Sequence, residues 1–217
     1  MQIRIDPDFP DEQLINVIAN MAYLGHLIIF PTDTIYGIGT SSLSEGGVMS
    51  LFASKRRPTN KPLGVFMSSL DEIEQHCTVT KEHLDLLKSI WPGPVTCVLQ
   101  RKSNSPMLTS PDKHQRSTVA VRIPSNKIDQ ILVRKLSCPL LQTSVNISSL
   151  PHQNYHFIKN NYQRFADAMI DAGPENAEKP STVIDLSGEK AMLVREGSTP
   201  WTDLITKIQD NGIPVDM

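Results

Sequence analysis

Three cations follow one another near a predicted helix end, in the segment Lys55-Arg56-Arg57-Pro58. Residues two apart on an α-helix point about 200° apart, so Lys55 and Arg57 could not reach one ligand from a regular helix. Pro58 disfavours helical geometry at the residue before it, which predicts that the last turn unwinds. Both side chains, with Lys61 just beyond the proline, could then converge on a polyphosphate. A solvated basic turn at the negative end of the helix dipole is the alternative.

The segment PTDTIYG, residues 31–37, carries two threonine hydroxyls, a carboxylate and a phenol. It follows the apolar run at residues 27–30, a predicted buried strand, and open α/β sheets bind ligands beyond the ends of such strands. The alternative is a turn in which Thr32 and Asp33 only satisfy the local backbone. Composition alone favours neither interpretation.

Two predicted strands carry polar side chains on one face. Along TVAVRI, residues 118–123, the side chains of Thr118, Ala120 and Arg122 share a face because strands alternate with period two. An arginine beside a small residue suits the wall of a polar cavity, where a guanidinium can bind a carboxylate with two hydrogen bonds. A surface strand would show the same alternation. Ser144 and Asn146, at the end of a second strand, would also share a face and suit a nucleotide, although strand ends are often rich in such turn residues.

Ser181 and Arg195 lie beside two short predicted strands late in the chain. Alone, each would be a loop residue or part of a rim salt bridge. His152 and His156 are four apart, which could place both on one helical face. Pro151 weakens a helix there and no third ligand is near, so a solvated surface pair is favoured and no metal site is predicted.

The elements that must position these residues alternate along the chain. Strands are predicted at residues 3–5, 27–30, 63–67, 95–99, 118–123, 140–145, 183–186 and 192–195. Helices are predicted at residues 11–25, 46–56, 80–91, 125–136, 155–168 and 202–208. No change of composition marks a linker, so we expect one α/β domain with a mixed, twisted sheet.

Composition excludes several classes of protein. Among 217 residues, 39% are hydrophobic and the formal charge is −2, so bulk charge argues against tight binding to nucleic acid. No apolar run approaches the roughly 20 residues of a membrane span, and the start of the chain lacks the features of a signal peptide. No phosphate-binding GxxxxGK[ST] loop, dinucleotide-binding GxGxxG or GxSxG nucleophile motif occurs. We expect a cytoplasmic protein.

Seven segments occur in the order found in the YrdC/TsaC family: PTDTIYGIG, SKRRPTNKPL, WPGPVTCVL, VAVRIP, TSVN, STVID and LVREG. The match runs from about residue 28 to residue 197, and the chain resembles the single-domain members of this family. The resemblance implies one YrdC-like domain over residues 1–217, with a twisted mixed sheet and flanking helices around a large concave cleft. It also implies a nucleotidyltransferase that makes L-threonylcarbamoyladenylate from ATP, bicarbonate and L-threonine, releasing pyrophosphate, as the first step of threonylcarbamoyladenosine modification of tRNA.

The resemblance also implies roles for single residues, by their positions in the motifs. The K-x-R and S-x-N set, implied to be catalytic, is Lys55, Arg57, Ser144 and Asn146. The implied ATP contacts are Arg57, Lys61, Thr118, Ser144 and Arg195. The implied threonine contacts are Thr34, Tyr36, Arg122 and Ser181. ATP would be a substrate, and Mg²⁺ would be carried with the nucleotide.

The chain departs from the family pattern at two places that bear on the cleft. Phe66 stands where a histidine often lies near threonine, and Val145, in TSVN for the usual TSAN, should point away from Ser144 and Asn146. A YciO-like protein with weak or different activity is one alternative: Phe66 keeps it open, although YciO-like paralogues lack the K-x-R and S-x-N set as a whole and this chain has it. A YrdC-like RNA- or ribosome-binding module is another. The resemblance implies transient contact with the tRNA threonylcarbamoyl transferase complex, weak or no direct tRNA binding, and no membrane partner.

Overall fold

The computed structural model describes residues 1–112, 116–146, 153–174 and 179–216. In these residues the chain forms eleven strands: Gln2–Arg4 (β1), Ile28–Phe30 (β2), Gly37–Ser41 (β3), Gly64–Phe66 (β4), Cys77–Thr78 (β5), Val95–Arg101 (β6), Thr118–Arg122 (β7), Leu140–Ser144 (β8), Ala168–Asp171 (β9), Thr182–Asp185 (β10) and Met192–Arg195 (β11). The same ranges form seven α-helices and a short 3-10 turn at Tyr162–Arg164: Glu12–Tyr23 (α1), Glu45–Ser54 (α2), Leu70–His76 (α3), Lys81–Ile90 (α4), Lys127–Leu136 (α5), Tyr155–Asn161 (α6) and Trp201–Asp210 (α7).

The described strands join one mixed sheet in the order β1-β9-β2-β3-β8-β4-β7-β6-β10-β11, with β5 paired to β6. The pairs β1–β9, β9–β2, β4–β7 and β6–β10 are parallel, and the other pairs in these ranges are antiparallel. The expected α/β fold, a mixed sheet with flanking helices, is confirmed.

The two faces of the central strands β4 and β7 contact different parts of the molecule. On β4 and β7, Val65 and Val121 pack into the larger apolar cluster, which also contains residues of α2, α4 and α7. Their neighbours Phe66 and Arg122 point the other way and line a cavity. A second apolar cluster, with residues of α1 and α5, packs on that same side of the sheet and includes Phe66. The period-two alternation therefore places the larger cluster on one face of β4 and β7, and the cavity with the second cluster on the other.

Two sequence predictions of elements were wrong. The segment Gly37–Ser41, expected to be loop, is strand β3. The two glycines of this segment argued against a strand, because glycine is depleted in strands. Gly39 is nevertheless needed here, since a Cβ at this position would lie 2.4 Å from the carbonyl oxygen of Leu141 on β8. The helix predicted at residues 155–168 ends at Asn161, and Ala168 begins strand β9. None of the helices in the described ranges has the length and apolar character to cross a membrane.

Candidate active site

A cavity of about 470 Å³ opens on the face of the sheet opposite the larger cluster. Its size is in the range of small-molecule and cofactor sites. Four cationic side chains line it, those of Lys55, Arg57, Arg122 and Arg195, and no Asp or Glu is among the described lining residues. The cavity is therefore suited to anionic ligands.

The end of α2 brings two of these cations to the cavity. The backbone N–H of Arg56 donates to Ala53 O and that of Arg57 to Phe52 O, the bond pattern of a Schellman motif. Arg56 adopts the left-handed conformation at the position usually held by glycine, with φ of 49°. The chain turns sharply here, so Lys55 and Arg57 both line the cavity, as the unwinding at Pro58 predicted.

Lys55 is 3% exposed and joins α2 to the end of β8. Its Nζ donates to Ser144 O, to Asn146 O at 2.9 Å and to Asn146 Oδ1 at 2.6 Å. These three oxygens match the three N–H donors of an ammonium group. Burial, together with the nearby charge of Arg57, lowers the pKa of Lys55 to about 7. Lys55 therefore holds the S-x-N segment in place and can change its charge near neutral pH.

Arg57 and Arg195 are anchored through backbone carbonyls. Arg57 Nε donates to Lys61 O at 2.7 Å and its second guanidinium nitrogen to Pro62 O at 3.0 Å. Arg195, at the end of edge strand β11, donates to Ser181 O at 2.8 Å. Burial lowers the pKa of both guanidinium groups from their ordinary values, but both remain charged because arginine titrates far above neutral pH. Both side chains line the cavity, as Lys55 does.

Arg122 lines the cavity from the end of β7 and is 3% exposed. Its Nε donates to Gly93 O at 2.9 Å, its Nη1 to Thr34 Oγ1 at 3.3 Å, and its Nη2 pairs with Asp33 Oδ1. The other oxygen of Asp33 accepts from the backbone and the hydroxyl of Ser125, at 3.0 and 2.6 Å. Arg122 is thus held in one orientation by fixed partners. Burial lowers its pKa to about 10, opposed by the nearby carboxyl of Asp129.

The segment at residues 31–37 fulfils parts of both interpretations. Thr34 lines the cavity beside Arg122, as a ligand-binding loop would. Thr32 bonds locally, accepting from Thr34 N and donating to Ile35 O, both at 2.9 Å, as in a turn. Asp33 satisfies no local backbone group among the described contacts but pairs with Arg122.

The structure also shows a contact that the sequence did not single out. Ser181 lines the cavity, and its hydroxyl lies 2.9 Å from that of Thr96 on β6. Both residues are 8% exposed. Thr96 is inside the WPGPVTCVL segment, but only the parallel pairing of β6 with β10 reveals that it meets Ser181.

Eight of the eleven sequence-predicted site residues line the cavity: Lys55, Arg57, Ser144, Asn146, Arg195, Thr34, Arg122 and Ser181. Val145, between Ser144 and Asn146, is buried in the larger cluster, so the expected alternation is confirmed. The lining also includes Phe66, Thr32, Gln142 and Thr143, which are not among those eleven residues.

Three predicted residues do not line the cavity. Tyr36 is 1% exposed in the apolar core and donates to Gly173 O, so its expected place on the cleft wall was wrong. Lys61 is exposed, and its backbone carbonyl oxygen accepts a hydrogen bond from the cavity-lining residue Arg57. Thr118 begins β7, two residues before the lining residue Ala120. His152 lies outside the described residues.

Comparisons with known proteins identify the family of this chain. A family model named for Sua5, YciO and YrdC, and described as telomere recombination, matches residues 20–197. The chain belongs to this Sua5/YciO/YrdC family. The YrdC/TsaC resemblance of the seven motifs is thereby confirmed.

Relatives within the family divide into two groups. The threonylcarbamoyl-AMP synthase of Pyrococcus abyssi is 32% identical over 196 residues, 89% of this chain and 57% of that protein. The crystal structure of P. abyssi Sua5 complexed with L-threonine superposes with a TM-score of 0.87 at 30% identity, covering 100% of this chain and 62% of that one. The uncharacterized protein YciO of Escherichia coli has a crystal structure with a TM-score of 0.82 at 27% identity, covering 92% of this chain and 97% of YciO. This chain thus spans little more than half of the P. abyssi enzyme and nearly all of YciO.

Proposed function

We propose that this protein synthesises L-threonylcarbamoyladenylate from ATP, bicarbonate and L-threonine, with release of pyrophosphate, as a step towards threonylcarbamoyladenosine in tRNA. The observation that carries the proposal is one cavity lined by four cations, Lys55, Arg57, Arg195 and Arg122. We assign the first three to the nucleotide, as a phosphate end, and Arg122 to the amino acid, as an amino-acid end. Two anionic substrates could bind there at once, the nucleotide by its phosphates and the amino acid by its carboxylate. The names of the P. abyssi relative and of its threonine complex support this assignment.

The reaction would proceed without a protein nucleophile. The amine of threonine adds to bicarbonate or CO₂, and the N-carboxylate formed attacks the α-phosphorus of ATP, from which pyrophosphate leaves; water is the remaining product from bicarbonate. The protein would position the two substrates and stabilise developing charge. Arg57 and Arg195 would bind the phosphates, Lys55 would hold Ser144 and Asn146 against the nucleotide, and Arg122 would bind the carboxylate of threonine.

Magnesium would arrive with the nucleotide. Mg²⁺ in proteins prefers carboxylate oxygens and water, and the described residues that line the cavity include no carboxylate. No group of three or more potential metal ligands occurs elsewhere in the described residues. An ion held by phosphates and water would add positive charge beside Arg57 without protein ligands. The reaction would take place in the cytoplasm, followed by transfer to tRNA by a separate transferase complex.

A substitution of Lys55 tests the proposal. Lys55→Ala should abolish pyrophosphate release that depends on threonine and bicarbonate, because it removes a buried charge and loosens Ser144 and Asn146. Loss of one such contact costs about 2–4 kcal/mol of transition-state stabilisation. Lys88→Ala, at an exposed lysine on α4, is the matched control and should keep wild-type activity. Undiminished release by Lys55→Ala would contradict the assignment of the phosphate end.

A second candidate function is that of E. coli YciO, which this chain matches over nearly its full length. Phe66 in the cavity wall also separates this chain from the usual synthase pattern. A protein of that type would release pyrophosphate slowly or with another amino acid, so each amino acid should be assayed in turn. An RNA-binding module is less compatible with the cavity, because Lys55 and Arg122 are each 3% exposed and cannot reach a nucleic-acid backbone.

A further inference from the structure

The cavity face of the sheet carries a row of side chains across four neighbouring strands. Phe66 on β4 pairs with Arg122 on β7, and Thr96 on β6 pairs with Val183 on β10. The antiparallel pair Cys97–Val121 sets the register that places Thr96 beside Arg122. Arg122 is therefore flanked by an aromatic ring on one side and a hydroxyl on the other, and neighbouring strands are only about 4.8 Å apart.

We propose that Thr96 and Phe66 select the side chain of the amino-acid substrate. Thr96, together with Ser181, would bind the β-hydroxyl of threonine, and Phe66 would contact the γ-methyl group. The inference rests on the proposed function and names the residues that would select its amino-acid substrate. The β-carbon of an α-amino acid is two bonds from its carboxylate carbon, so a carboxylate held at Arg122 brings the side chain beside both neighbours.

The hydroxyl pair has a hydrogen left to donate. Each hydroxyl of Thr96 and Ser181 carries one hydrogen and two lone pairs, and the bond between them uses a single hydrogen. Among the contacts of the described residues, neither hydroxyl has another hydrogen-bond partner, which leaves one O–H and free lone pairs beside the cavity. A ligand hydroxyl could both accept from and donate to this pair. A ligand with a methyl group there would leave a buried hydroxyl unpaired.

Phe66 provides a fixed apolar wall opposite that pair. The residue is 1% exposed, and its ring lies edge-on to Phe30 with centroids 6.1 Å apart. The guanidinium carbon of Arg122 is 5.3 Å from the centroid of the Phe66 ring. The ring offers no hydrogen bond, so it favours a methyl group over water or a polar substituent at this point. A hydroxyl pair on one side and an aromatic ring on the other match the two β-substituents of threonine.

Isosteric variants of Thr96 test the hydroxyl half. Binding of L-threonine, L-valine and L-serine to the whole chain would be measured by calorimetry in the presence of ATP, with pyrophosphate release as a second readout. Valine has the shape of threonine without the hydroxyl. A site that hydrogen-bonds a hydroxyl can reject the analogue lacking it by up to about 10⁴-fold.

We expect Thr96→Val to weaken threonine binding at least tenfold and to shrink the threonine-over-valine ratio by the same factor, with the KM for ATP unchanged. Thr96→Ser should restore the ratio, because it keeps the hydroxyl. Thr40→Val is the matched control: Thr40 is fully buried and donates to Ala22 O away from the cavity, so its loss should leave the ratio unchanged. An unchanged ratio in Thr96→Val, or a wild-type protein that binds none of the three amino acids, would overturn the inference.

Phe66→Leu tests the apolar half. One methyl group in an apolar pocket is worth roughly 10- to 200-fold in discrimination, and we expect the smaller side chain to lower the threonine-over-serine ratio several-fold. Phe52→Leu, in the cluster on the other face, is the control. An unchanged ratio in Phe66→Leu would show that the ring does not contact the substrate.

If amino acids bind selectively but none supports pyrophosphate release, the proposed function fails while the selectivity inference stands.

Discussion

The cations of the proposed phosphate end and of the proposed amino-acid end are held in different ways. At the phosphate end, Arg57 and Arg195 come from a helix terminus and an edge strand, and backbone carbonyls anchor them. At the amino-acid end, Arg122 lies in the middle of the sheet, is 3% exposed and pairs with Asp33. The first group is the one proposed to bind the triphosphate. The second holds one guanidinium in one orientation, which would suit the proposed binding of a small amino acid.

Arg122→Met should have the largest effect and would break the amino-acid end. It removes the carboxylate-binding group and leaves Asp33 without its charged partner; loss of one member of a buried ion pair costs about 3–5 kcal/mol of stability. We expect threonine-dependent turnover to fall by more than about 100-fold, since a buried hydrogen bond to a charged group contributes up to about 3 kcal/mol. Pyrophosphate release and chemical denaturation would measure the two effects.

The double variant Asp33→Asn, Arg122→Met separates stability from binding. It removes the unpaired carboxylate, so the free energy of unfolding should recover in part while turnover stays low. Recovery of turnover along with stability would show that Arg122 serves the fold alone.

Lys55 should couple nucleotide binding to protons. Its pKa is lowered to about 7, so above pH 7 the free protein carries mostly the neutral amine. Bound phosphates favour the ammonium, so ATP binding at pH 8 should take up close to one proton, and affinity should fall by up to about tenfold per pH unit above 7. Calorimetry in buffers of different ionisation enthalpy measures the uptake.

Lys55→Met provides the control for this coupling and should bind ATP without proton uptake at pH 8. At pH 6 the wild type should also take up little, because Lys55 is already charged. Equal uptake by wild type and variant at pH 8 would assign the proton to another group.

Arg195→Met should have a smaller effect and sharpen the division between the ends. The residue is exposed on an edge strand, where a charged contact contributes about 1 kcal/mol, so the KM for ATP should rise about fivefold. The KM for threonine should stay within about twofold, since Arg195 contacts only the backbone of Ser181. Steady-state kinetics would show this, with the exposed Arg164→Met as control. An equal rise in both constants would contradict the two-ended description.

Lys61→Met should have the smallest effect. The side chain is exposed and lies outside the cavity, and Arg57 contacts only its carbonyl oxygen. We expect the KM for ATP to change by less than about twofold, as for most exposed charges. A tenfold increase would show that the ammonium reaches the nucleotide, as motif position implied.

The sequence predicted those parts of the site that depend on local rules. Period-two alternation placed Arg122 and Ala120 on one face, and Pro58 correctly indicated that Lys55 and Arg57 leave the helix. Both inferences concern residues close together in the sequence, for which the local backbone geometry determines the direction of each side chain.

What the sequence could not supply depends on contacts between distant segments. Thr96 meets Ser181 only through the pairing of β6 with β10, and Asp33 meets Arg122 across the sheet. Strand β3 was not predicted because it contains two glycines, and the close approach of β8 that requires one of them, Gly39, is not visible in the sequence. Tyr36 belongs to a motif that contributes Thr34 to the cavity, yet it points into the core, since motif membership does not determine side-chain direction.

Isotope-labelled bicarbonate tests the central claim most directly. The protein would be incubated with ATP, L-threonine and ¹³C-bicarbonate, and the nucleotide products analysed by mass spectrometry. We predict an adduct of AMP, threonine and one labelled carbon, formed together with pyrophosphate only when all three substrates are present. Pyrophosphate release that needs neither threonine nor bicarbonate, or an adduct without the label, would contradict the proposed reaction of ATP, bicarbonate and threonine.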